Sequence, residues 1–175
     1  MEPAQTPRPQ FRNTIQLAMQ SGMIVGLFFV LQAISFLLYK QGIISSLLLI
    51  GGLIMVPVSL VLTAIKYRDR HLGGKMRYME GVGYMMWTYL FALILAIVAF
   101  YISTRVLLNS PDFVALLEQS IEIAEQMMEG TENAGLLSEG MSSLTPQSFT
   151  LSFLSSSLFF GLIFIYIAGL FIKRR

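Results

Sequence analysis

Cysteine is absent from this 175-residue chain, histidine and tryptophan occur once each, and only 13% of the residues carry charge. Without cysteine there is no disulfide scaffold, no thiolate metal site and no thiol nucleophile, and redox chemistry gives no clue to the compartment a loop faces. Soluble domains carry roughly 25% charged residues. Against that, so little charge with 55% hydrophobic residues is the composition of a membrane protein. The net charge is +2, and the cations sit beside apolar segments and not among aromatic stacking partners, so a nucleic-acid role is not expected.

Charge is also missing from the places where membrane chemistry needs it. Ion-coupled transporters and proton relays set Asp, Glu, Lys, Arg or His at membrane depth. Here the interiors of the apolar segments offer only Gln20, Gln32 and hydroxyls such as Ser152, Ser155 and Ser156. They hold no acid pair and no Ser–His pair for an intramembrane protease. A non-enzymatic protein without cofactor or metal is the expectation.

What is present is apolar length. A bilayer core takes about 20 apolar residues in a helix. The run from Ile15 to Ile65 is long enough for two, and Lys40-Gln41-Gly42 divides it. Spans are expected at about 15–39, 43–65, 84–108 and 149–172, as helices because backbone groups in lipid must be satisfied within the segment. Residues 1–13, polar and rich in proline, read as a disordered cytoplasmic tail and not a cleaved leader. The rest, 14–175, reads as one transmembrane domain. The expected fold is an all-α membrane protein of four transmembrane helices, with an outer amphipathic helix in the third loop, 109–147.

Orientation follows from the cations. Arg8, Arg12, the central loop and the C-terminal Lys173, Arg174 and Arg175 place ten of the twelve Lys and Arg on one side, with Lys40 and Arg105 near the other. The positive-inside rule then sets both termini in the cytoplasm. The 109–147 loop holds seven acids (Asp112, Glu118, Glu122, Glu125, Glu129, Glu132, Glu139) and no base, as suits a translocated segment. Aromatic residues agree: Tyr78, Tyr84 and Trp87 fall near the inner end of the third span, Tyr39 and Tyr101 near outer ends.

The central loop, KYRDRHLGGKMR at 66–77, holds five cations and the single histidine. Arg68, Arg70, Lys75 and Arg77 flank Gly73 and Gly74, so a turn there can gather cations around a lipid headgroup phosphate or a partner, aided by the dipole of the following helix. The plainer reading is a topology determinant that meets anionic lipid nonspecifically. His71 has one neighbouring acid, Asp69, and is a poor general base. In the outer loop, Ser110-Pro111-Asp112 forms a helix start. Phe113, Leu117, Ile121, Ala124 and Met128 then recur on one face, Glu118, Glu122, Glu125 and Glu129 on another, and Gly130 ends the helix. A short helix and turn are expected over 131–144.

Within the spans, Ala18, Gly22 and Gly26, continued by Ala33, form a small-residue face, and Ser157 with Gly161 a second. Such faces let helix backbones touch, within one bundle or across to a second copy or a partner. Pro57, after Gly51 and Gly52, marks a kink or hinge in the second span.

Four spans, Tyr67-Arg68-Asp69 before a Gly-Gly turn, a third span opening with Gly81 and Gly83, and the outer Ser110-Pro111-Asp112-Phe113 leading an acidic helix together resemble the DUF4199 family of small membrane proteins, found mainly in Bacteroidota. The resemblance covers about residues 15–172. It implies an inner-membrane location in a Gram-negative bacterium, brings no established activity or catalytic residue, and carries an association with polyprenyl-phosphate sugar metabolism. Two roles follow: an accessory or scaffold protein engaging anionic lipid or a membrane partner, or a small lipid-handling or transport component.

Overall fold

The computed structural model describes residues 11–127 and 145–173. Five α-helices lie within them: α1 (Phe11–Leu37), α2 (Ile43–His71), α3 (Tyr78–Leu108), α4 (Pro111–Met127) and α5 (Pro146–Ile172). All but α4 are long and apolar enough to cross a membrane, and the described residues contain no strand. The protein is an all-α, multi-pass membrane protein. Arg8, Met128, Glu129, Gly130, the expected helix and turn over 131–144 with Glu132 and Glu139, and Arg174 and Arg175 lie outside the described residues.

Element boundaries depart from the hydropathy reading at the loop end of the bundle. Arg12 and Asn13, assigned to the tail, already belong to α1. α2 runs six residues past Ile65 to His71, and α3 begins at Tyr78, six before Tyr84. Hydropathy marks where side chains leave hydrocarbon, but Lys and Arg are good helix formers, and the backbone ladder continues until something breaks it. The break is Gly73-Gly74, at φ 61° and 82°, the left-handed region glycine enters without strain. The Leu72 and Gly74 N–H groups both donate to the Arg68 carbonyl, closing the end of α2.

α1 and α3 form the centre. Ala18, Val25 and Ala33 on α1 and Met85, Ala92 and Ala96 on α3 are essentially inaccessible. A Cβ at Gly22 would lie 2.6 Å from the Phe91 Cβ and 2.7 Å from the Thr88 carbonyl oxygen; one at Gly26 would lie 2.7 Å from Leu95 Cδ1. The small-residue face of α1 is therefore taken up by α3 of the same chain. α2 packs on α1 and α5 on α3, while α2 and α5 touch little. Toward the Tyr39–Gln41 turn, rings close the bundle: Phe100 stacks on Phe153 with centroids 3.7 Å apart, and Phe36 meets Phe100 and Phe149 edge-on.

α4 is attached by its first turn. Lys40 donates to the Asp112 carboxylate at 2.5 Å, and the Tyr39 and Phe113 rings meet edge-on at 5.2 Å. The Lys40 ammonium holds the Asp112 carboxyl below its ordinary value, by hydrogen bond first and charge second, and is itself held above its own.

Candidate functional site

Because α2 and α5 lean on different partners, a cleft opens between them. Its walls are Leu53, Val56, Pro57 and Leu60 from α2 and Phe153, Phe160, Gly161 and Phe164 from α5. Phe29 and Gln32 of α1 and Tyr89 of α3 also line it. The cavity measures about 370 Å³. A second recess of about 470 Å³ adjoins it, sharing Leu53, Pro57 and Phe164 and continuing along Val58, Val61 and Leu62 toward the loop end. None of the residues lining either is charged. Pro57 lacks the N–H of a helical residue and sits where both recesses meet.

Two glycines shape the cleft. At Gly161 a Cβ would collide with the Tyr89 ring, and the bare backbone there lets the Tyr89 hydroxyl donate to the Ser157 carbonyl at 2.7 Å. At Gly52 a Cβ would collide with Gln32 Cγ, so the Gln32 side chain crosses the bare face of α2 to reach the cleft. Gln32 is 5% exposed, yet its carboxamide makes no hydrogen bond among the described residues. Nor is it sealed in, since among the described residues no enclosed side-chain nitrogen or oxygen lacks a partner: the amide opens on the cavity. Gln32, Pro57, Ser156, Ser157 and Gly161, each singled out in the sequence, thus meet at one place. The enclosing Leu53, Phe160 and Phe164 and the Gly52–Gln32 contact carried no signal, because lipid-facing and cleft-facing apolar residues look alike in a sequence.

The four cations of the loop region are not presented together. Arg68 is 6% exposed; its Nε donates to Asp69 at 2.8 Å and its Nη1 to the Ile172 carbonyl at the end of α5, 3.2 Å away. Arg70 is exposed on the last turn of α2, while Lys75 and Arg77 are exposed on the connection to α3, where the Arg77 N–H donates to the Glu80 carboxylate. Beside them Tyr67 stacks on Tyr84 at 4.1 Å; their hydroxyls pair with those of Thr14 (3.0 Å) and Ser21 (2.7 Å). His71 lies beside the Tyr67 ring and edges a small recess with Asn13, Gln16 and Gln20. Among the described residues no three His, Cys, Asp or Glu side chains are grouped to hold a metal.

The sequence model of DUF4199, described as a protein of unknown function, matches residues 20–174. The chain belongs to the DUF4199 family. No curated protein and no solved structure matches it. Within this DUF4199 protein the matched region takes in most of α1, all of α2, α3 and α5, the α2–α5 cleft and the basic end of α2.

Proposed function

We propose that this DUF4199 protein is a non-enzymatic accessory protein of the bacterial inner membrane, with both termini cytoplasmic, that holds lipid in the cleft between α2 and α5. The observation that carries this reading is the cleft itself: an uncharged recess of about 370 Å³ at membrane depth, continuous with a purely apolar groove. Ligand sites commonly have this size, apolar lining and small number of polar groups. Its exit runs toward the end of the bundle where Lys66, Arg70, Lys75 and Arg77 are exposed, and these cations favour anionic headgroups at that surface. Lipid handling is favoured over pure scaffolding because the small-residue faces, suited in the sequence to a neighbouring helix or to a partner, are filled from within, Gly22 and Gly26 by α3 and Gly161 by Tyr89.

Photolabelling tests it. With a neutral lipid carrying a diazirine in its hydrocarbon chain, labelling is expected to concentrate on Leu53, Phe160 and Phe164. The outward faces of α3 at Ile94, Val98 and Ile102 should be labelled far less. Even labelling of all outward apolar positions would mean an ordinary lipid annulus and would end the proposal.

A further inference from the structure

The cleft is divided chemically as well as spatially, and the division describes an occupant. Its first recess has ring walls from Phe29, Tyr89, Phe153 and Phe164, with Phe160 at an exposed edge, and is also lined by Gln32, Ser157 and the exposed Ser156. Its continuation, by Ile54, Val58, Val61 and Leu62, has no polar side chain at all. Some hydroxyls in the spans donate to a carbonyl of their own helix, as Ser59, Thr63, Thr88 and Thr150 do. The Ser156 and Ser157 hydroxyls and the Gln32 amide have no such bond among the described residues. In hydrocarbon an unmatched donor is costly, because no water stands in for the missing acceptor.

From these features we infer that the cleft binds a neutral lipid of the isoprenoid quinone type. Its planar ring lies among the aromatic walls, a ring carbonyl accepts hydrogen bonds from the Gln32 amide and the Ser156 hydroxyl, and its chain runs out along α2 past Val58 and Leu62. The inference rests on the lipid-holding reading above and names the lipid. Each part answers an observation: offset and edge-on ring contacts suit a flat π-system, two open donors suit a carbonyl, and an apolar groove suits a tail. An anionic headgroup does not fit there, since a phosphate at this depth needs a cation and the lining supplies none. The polyprenyl-phosphate class is therefore not what the deep cleft selects. Ordinary diacyl lipids carry their ester carbonyls at the hydrocarbon edge. Gln32, five residues inside the end of α1, lies about 8 Å further in along the helix. No electron transfer is involved, only binding.

The test uses the full chain in dodecyl maltoside, a detergent without a carbonyl, and a decyl-chain 1,4-benzoquinone labelled with 13C at its carbonyls. Decylbenzene keeps ring and chain without an acceptor, and decyl phosphate supplies an anion. The quinone should bind about tenfold more tightly than decylbenzene, the increment of a hydrogen bond or two, and its carbonyl resonance should move downfield on binding. Gln32→Leu should bring quinone affinity down to that of decylbenzene and abolish the shift, with decylbenzene binding unchanged. Ser156→Ala, at an exposed position, should lose part of the increment and tests the same bond if Gln32→Leu does not fold. Equal binding of quinone and decylbenzene would overturn carbonyl recognition and leave a lipid-holding cleft. Preference for decyl phosphate, or displacement of the quinone by equimolar diacylphosphatidylcholine, would replace the quinone by an anionic or an acyl-ester lipid. Binding of none of them to the wild-type chain would remove the lipid-holding reading as well.

Discussion

Gly161 and Gly51 separate two jobs that the same residue performs on this scaffold. A side chain at Gly161 meets the Tyr89 ring, and beyond it the hydrogen bond to Ser157 that fastens α5 to α3; one at Gly51 meets nothing within 4 Å. Overpacking at a closed contact costs about 1–3 kcal/mol, whereas glycine to alanine in an open helical site gains about 0.4–1 kcal/mol by stiffening the unfolded chain. Gly161→Ala is expected to lower the midpoint of thermal unfolding in detergent, and Gly51→Ala to leave it unchanged or raise it. The sequence marks both as small residues in a span. Which is spoken for depends on the helix opposite, and nothing in a single chain's residue pattern says which helix that is. Arg68 teaches the same lesson with charge: its spacing groups it with Arg70, Lys75 and Arg77, but its guanidinium turns inward to the Ile172 carbonyl. An acceptor 104 residues away is invisible to local reading.

At the scale of elements, the four spans were legible because about 20 apolar residues in a row admit few other fates. The turn at Gly42 was legible from the break in that run, and the start of α4 from Ser110 and Pro111. Not legible was the sharing of partners, with α1 and α3 joined along their length while α2 and α5 stand apart. Of the cleft, the sequence supplied Gln32, Pro57 and the Ser157–Gly161 pair, but not that they face one another. α4 adds a pH response. Asp112 titrates below its ordinary 3.8 and Lys40 above its ordinary 10.5. A carboxyl with a lowered value contributes attachment that is present above 3.8 and lost as the pH falls through the lowered value. A raised ammonium contributes below 10.5 and loses it as the pH rises through the raised value. Spin labels at Gln41 and Ala115 should therefore report one narrow separation across neutral pH that broadens below about pH 4 and again in strong alkali. The broadening at the acid end should vanish in Asp112→Asn, which has no carboxyl to titrate there.

For the whole molecule, the proposed orientation rests on the cations. With Arg68 folded into the bundle, the exposed cations of the 66–77 region are Lys66, Arg70, Lys75 and Arg77. Replacing these four by Gln should disturb insertion, read as mixed signals from reporter fusions at the two ends of the chain. Arg68→Gln alone should leave the reporters unchanged while loosening α5 from α2. Unchanged reporters in the fourfold variant would show that the apolar segments set their own direction. The bond between Arg68 and Ile172 also has a place in time. Its donor emerges during synthesis of the second span and its acceptor, 104 residues later in the chain, only when the fourth is complete. The tie between α2 and α5 at the loop end of the bundle therefore closes only once the last span has been made.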